Sequence, residues 1–160
     1  MGVRFLVTVA LAAVLTGTAH AAGPEVALPQ TLADAMAQRC LSQSSSKGWP
    51  AFSIAIVDVS GALILLRRQD AASGLTAEVA ALKAKSSARS GAPTQVLAKM
   101  GEDPPTRDLF LLLQLSDDPG GLPIKLNGRL VGAIGVSGGT ADQDIGCATA
   151  ALAALPGEKK

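Results

Sequence analysis

The sequence predicts one α/β domain of the α+β kind, an antiparallel sheet flanked by helices in the order α-β-β-α-α-β-β-β-α. Three observations predict it. Two turn signals, Ser60-Gly61 and Asn127-Gly128, each stand between short runs rich in β-branched or aliphatic residues. Segments with apolar residues every three or four positions lie at both ends of the domain and between the two hairpins. Apolar residues make up 48% of the chain and aromatic residues only 2%, beside 17 glycines, so the core must be built from Leu, Ile, Val and Ala with backbones packed close.

Before the domain comes an export signal. Arg4 supplies the positive start, Phe5 to Leu15 is apolar apart from one Thr, and Ala19-His20-Ala21 has the small-residue form of a cleavage site. The apolar run is too short to span a bilayer. Cleavage is expected after Ala21, giving a periplasmic or secreted protein with no membrane attachment. The expected organisation is a signal peptide over 1–21, a leader over 22–30 with two prolines, the domain over 31–156 and a tail over 157–160. The alternative reading of the same residues is an uncleaved anchor. Removing 21 of 160 residues leaves 139, the size of one ordinary domain.

From Thr31 the pattern is helical, with Leu32, Met36 and Cys40 four apart, and the weak helix formers of Ser42 to Gly48 are expected to end it. Phe52 to Val59 (FSIAIVDV) and Ala62 to Arg68 read as a hairpin about Ser60-Gly61. Thr76, Glu78 and AALKAKSSARS predict a helix closed by Gly91, and Pro93-Thr94 a short one through about Met100. Glu102 to Asp108, with Pro104-Pro105, reads as a loop. Leu109 to Leu115 (LFLLLQL) fits a buried strand or a helix turn, and is assigned as a strand. Leu122 to Leu126 and Arg129 to Val136 pair about Asn127-Gly128, the strongest hairpin signal in the chain. Thr140 and Gln143 form a capping box for the last helix, whose apolar stripe reads Ile145, Ala148, Leu152 and Leu155 before Pro156 stops it.

Charge and residue inventory exclude several functions. Loss of Arg4 takes 14 Lys plus Arg to 13, against 13 Asp plus Glu, so the exported chain is formally neutral. It has no basic run and no aromatics interleaved with cations, which excludes a nucleic-acid platform. A neutral, apolar-rich surface points to a homo-oligomer. The only histidine, His20, leaves with the signal, so Ser-His-Asp and Cys-His catalysis and His-based metal centres are absent. No phosphate-binding loop is present, and no enzyme activity is expected. Cys40 and Cys147 match no zinc spacing. In an exported protein an even count favours a disulfide, with two separate buried thiols as the alternative.

Four places could carry ligand chemistry. Arg68 and Asp70, at a strand-to-helix corner, could grip a carboxylate or propionate, or pair with each other. Gly138, Gly139 and Thr140 present backbone N–H groups at a helix N-terminus, which suits an anion. The same groups suit a capped helix with nothing bound, since Asp142 and Asp144 oppose a second negative group. Lys83 sits mid-helix, on a different face from Lys85 and Arg89, which share one. Asp58 could be a buried acid or the cap of the Ser60-Gly61 turn.

Several segments together resemble the GlcG/HbpS-like haem-binding (haem-degrading domain) family. Ser53 to Asp70 is similar to its strand–turn–strand segment, which ends in an Arg-Met-Asp-Gly-Ala motif, with Gln69 and Ala71 here in place of Met and Gly. Lys83-Ala84, Ser86 to Ala88 and Pro93-Thr94 resemble its central helix. GGLPI at 120–124, Asn127-Gly128, VGAIGVSGG at 131–139, Asp144 and Cys147-Ala148 resemble its second half. The resemblance implies a profilin-like α/β sandwich, frequent oligomers, export in many members and, in some, haem binding or breakdown. Without a histidine, the strong iron ligands left are Met36, Met100, lysines or cysteines, so haem is expected with weak or atypical ligation, Arg68 or Lys83 meeting a propionate. The resulting expectation is an exported haem-binding or haem-handling protein, a scavenger or sensor accessory. The alternative is an oligomeric binding module for a small organic acid, without catalytic activity.

Overall fold

A computed structural model describes residues 27–157; the expected signal peptide and its cleavage point lie outside the described residues, as does the end of the tail. The element order is α1 (Gln30–Ser46), β1 (Ser53–Asp58), β2 (Leu63–Arg68), α2 (Gly74–Ser90), α3 (Thr94–Met100), α4 (Pro104–Leu112), β3 (Gly121–Leu126), β4 (Arg129–Ser137) and α5 (Ala141–Leu152). The four strands form one antiparallel sheet in the order β2-β1-β4-β3. Two hairpins therefore meet along their inner strands, with Ser53 opposite Ser137 and Asp58 opposite Gly132.

Both turn signals act as their residues require. Asn127 and Gly128 take φ of 50° and 74°, the left-handed pair that a two-residue hairpin with the strands' twist demands. In the other hairpin Asp58 accepts from the Ser60 and Ala62 N–H groups at 2.8 and 2.9 Å, so its carboxylate is the turn's cap. The Ser60 hydroxyl, bonded to the same oxygen, lowers the Asp58 carboxyl below its ordinary range, helped by the backbone N–H groups of the turn.

Alternation along the strands builds two unlike cores. Ile54, Ile56, Ile134, Val136, Leu122 and Ile124 face one way, onto Ala33, Met36 and Ala37 of α1 and Ala148 and Ala151 of α5. Ala55, Val57 and Ala133 face the other way, onto Ala80, Ala84 and Ala88 of α2. On that second face α2 sits almost on the strand backbone. A methyl at Gly135 would fall on the Ala80 carbonyl oxygen, and one at Gly121 would lie about 2.5 Å from the Lys83 carbonyl oxygen. The close backbone packing inferred from composition is found here, at Gly135 and Gly121.

Three expectations need correction. Leu109 to Leu115 is no strand: LFLL closes α4, and the residues after it are turn and coil. Pro104-Pro105, read as loop, opens this helix, because the first helical positions need no N–H and favour the φ of proline. Asp103 caps it, accepting from the Thr106 N–H at 3.1 Å. α1 runs past Ser42 to Ser46, since packing overrides weak propensity where Ser44 is buried, and Gly48 at φ 60° follows its end. The buried stripe of α5 is Asp144, Cys147, Ala148 and Ala151, with Ile145 and Leu152 at its margin.

Candidate functional site

α5 is where the sequence-derived candidates converge. Its first turn is the predicted capping box: Thr140 Oγ1 accepts from the Gln143 N–H, and Gln143 Oε1 accepts from the Thr140 N–H at 2.9 Å. The Gly139 N–H donates to Asp144 Oδ1 at 3.0 Å. The N–H groups of Gly139 and Thr140 thus already hold acceptors from the chain's own side chains. Gly138 has φ 140° and stacks its backbone against Ala51 and Phe52, where a Cβ would collide. Of the two readings of this junction, the filled cap is the one observed.

Lys83 explains what Asp144 does there. The lysine is 1% exposed, and its Nζ lies 2.8 Å from Asp144 Oδ2 and 2.6 Å from Asp118 Oδ2. It leaves α2 on one side of the sheet and meets α5 from the other, passing the start of the edge strand β3. The Gly120-Gly121 pair makes that route possible. A Cβ on Gly120 would stand 2.9 Å from the Asp144 Cβ and 3.3 Å from Lys83 Nζ, and its φ of 123° suits only glycine. The backbone N–H of Gly121 is received by Thr94 Oγ1 at 2.9 Å. Burial raises the Asp144 carboxyl above its ordinary value, against the opposing pull of Lys83 and the Gly139 N–H. The cluster is a layer-to-layer clamp, and Lys83 is not on a surface where a propionate could reach it.

Arg68 and Asp70 are both exposed at the end of β2, and they do not pair. Arg68 Nη1 donates to the Ala72 carbonyl, just before the Ser73 cap of α2. Between them Gln69, one of the two departures from the family motif, closes the sheet end. Its Oε1 accepts from the Phe52 N–H at 2.7 Å and its N–H donates to the Phe52 carbonyl. Arg68 lies opposite Ser53, which in turn lies opposite Ser137, so this corner is at the sheet end that also leads into Gly138 and Gly139, two strands across. The Arg68 side chain bonds Ala72, while Lys83 bonds Asp144 and Asp118, so the six predicted ligand residues share no hydrogen-bonded cluster.

The two cysteines are joined. Cys40 of α1 and Cys147 of α5 form a disulfide with their Cα atoms 4.6 Å apart, both fully buried. That removes thiolates from the candidate iron ligands. Met36 is buried in the core, so among the described residues the one thioether reaching solvent is Met100, half exposed at the end of α3. A groove of about 620 Å³ lies outside the same seam, between α1 and α5. It is walled by Ala35, Ala150 and Ala153 with Gln38, Arg39 and Gln43 at its polar side. Sequence reading missed it, because Arg39 and these alanines belong to a site only once two helices 100 residues apart lie side by side.

The family described as "Haem degrading protein HbpS-like" matches residues 28–153. This chain belongs to the HbpS-like family. It is 32% identical over 113 residues to protein GlcG of Escherichia coli (strain K12), covering 71% of this chain and 83% of GlcG. The crystal structure of a double mutant of Streptomyces reticuli HbpS shares its fold at a TM-score of 0.79 and 28% identity, over 92% of this chain and all of that one (100%). The structure of a PduOC–haem complex matches at a TM-score of 0.75 and 25% identity, over 81% of this chain and 96% of that one. The HbpS-like sandwich expected from the resemblance is therefore the observed fold. VGAIGVSGG, the segment that carried the resemblance best, is β4 and the α5 junction, and GGLPI is the passage that lets Lys83 through.

Proposed function

We propose that this HbpS-like protein is an exported haem-binding or haem-handling protein, a scavenger or sensor accessory that works as a homo-oligomer. The observation that carries the reading is the match over the whole domain to a family described as haem degrading, beside the likeness of the fold to a PduOC–haem complex. The N-terminal Arg4, apolar run and Ala19-His20-Ala21 support export.

The residues present fit one half of a haem and not the other. Among the described residues histidine is absent, both cysteines are bonded and Met36 is in the core, and neither Met100 nor a lysine lines the α1–α5 groove, so the groove offers no strong axial ligand. The α1–α5 groove has the size of a small-molecule site, an alanine wall for an apolar ring, and Arg39 to meet a propionate. Haem would be held by ring and propionate, with its iron chemistry left to solvent ligands. The small-organic-acid reading keeps only Arg68 and Asp70, since the N–H groups of Gly139 and Thr140 are occupied.

Titration of the apo protein with haemin tests this. The expected result is a saturable change in the Soret band, weakened about tenfold or more by Arg39→Glu and unaffected by Arg68→Ala. Loss with Arg68→Ala instead would move the propionate to the β2–α2 corner. No Soret change at roughly tens of micromolar would reject haem binding.

A further inference from the structure

α4 is a helix with almost nothing beneath it. Of its nine residues only Phe110 is buried, and no other described helix or strand packs along it. Its outer surface is leucine: Leu111 is 71% exposed and Leu112 82%, with Leu109 and Leu113 beside them. A helix this short is marginal in water without tertiary cover, and an apolar patch of this kind on a soluble domain marks an interaction surface.

Charge says what covers it. At one end of the leucines stand Lys85 and Arg89, one turn apart on α2, neither within ion-pair distance of a carboxylate among the described residues. The Arg89 guanidinium donates to the Leu113 carbonyl at 2.7 Å, which fixes the basic end against the C-terminus of α4. On the other side stands Asp108, next to Leu109 and about 7 Å from Leu113 along the helix, with Glu102 and Asp103 about 15 Å away at the start of α4 and Arg107 the one cation among them. The surface is therefore basic, apolar and acidic in sequence. A two-fold axis through the leucines, with α4 antiparallel on α4, sets each basic end against the other copy's acidic end. An anionic membrane would be repelled by that acidic end, so a bilayer is the poorer occupant.

We infer that the α4 leucines, flanked by Lys85 and Arg89 on one side and Asp103 and Asp108 on the other, form an isologous interface with a second copy of this chain. The inference rests on the homo-oligomer reading above and gives it a face and a symmetry.

Sedimentation equilibrium on protein expressed from the full coding sequence tests it, with far-UV circular dichroism checking the fold of every variant. The wild type is expected to form an even-numbered oligomer built on dimers. Leu112→Asp should weaken the dimer by ~100-fold, and the milder Leu112→Gln by ~10-fold. Lys85→Glu and Asp108→Lys should each weaken it several-fold, and the two together in one chain should restore it, as only a two-fold pairing of the ends allows. A wild type that stays monomeric at roughly 100 µM overturns both this face and the oligomer reading. An oligomer indifferent to folded Leu112→Asp leaves that reading standing and removes the face. Failure of the double charge swap to restore association overturns the two-fold pairing. A monomer that co-sediments with phosphatidylglycerol vesicles through Leu112 gives the surface to a membrane.

Discussion

Asp144 and Cys147 stand one turn apart on α5, yet they hold it by different physics. Cys147 ties α5 covalently to α1, within one layer and inside an apolar core of Met36, Ile54 and Ile134. Asp144 ties it to α2 across the sheet, through a buried lysine. The covalent tie acts chiefly by restricting the unfolded chain and needs nothing of its neighbours beyond geometry. The ionic tie acts in the folded state, where each charge tolerates burial only while its partner is present. One helix thus carries a tether indifferent to pH and another that depends on it.

Removing one partner of the ionic tie should have the largest effect. Lys83→Met leaves the Asp144 carboxylate buried beside Gly120 without its cation, and should cost about 3–5 kcal/mol in urea unfolding at neutral pH. The loss should shrink below the carboxylate range, where Asp144 takes up a proton and no longer needs a cation. An equal loss at all pH values would assign Lys83 a packing role alone. Opening the covalent tie comes next. Cys40→Ser with Cys147→Ser, or full reduction, should cost about 2–5 kcal/mol, with the long closed loop placing it towards the upper end. That loss should be the same at pH 4 and pH 7, and a strong pH dependence would break the contrast between the two ties.

The smallest effect is the slope that Asp144 itself imposes. Its carboxyl titrates above 3.8 in the folded protein, so over a window opening at 3.8 the folded chain holds a proton that the unfolded chain has released. Stability contributed by this group falls as pH rises through that window and levels off once the folded carboxyl has ionised. Asp58, lowered by its turn, works the other way, adding stability above 3.8 that is lost as pH falls through its folded value. Asp144→Asn should remove the first slope and leave the second, as measured by midpoints between pH 3 and pH 6. An unchanged profile would show that Asp144 does not titrate apart from the bulk carboxylates.

Much of this comparison was legible in the residues. The even cysteine count, in a chain expected to be exported, indicated the disulfide, and the capping box placed the start of α5 to the residue. What could not be read was Lys83. Its helix offers Lys83, Lys85 and Arg89 within seven positions, and local spacing shows only that one points away from the other two. That the odd one is buried depends on Gly120 and Gly121 leaving a passage beside β3, a contact 37 residues away in sequence. The helix at Leu109 to Leu115 failed for a related reason. Its leucines have no period, and only the Asp103 cap and the absence of a facing strand decide between the two structures.

By itself the sequence determined what is local or combinatorial. It specified two hairpins through turn residues that accept left-handed backbone, helix ends through caps, a domain without histidine, and membership of a family through segments spread along the domain. The tertiary structure decided which charges are buried, which groove is large enough for a ligand and which leucines face water. Those properties belong to pairs of segments, and the free energy of bringing two segments together is written in neither of them alone.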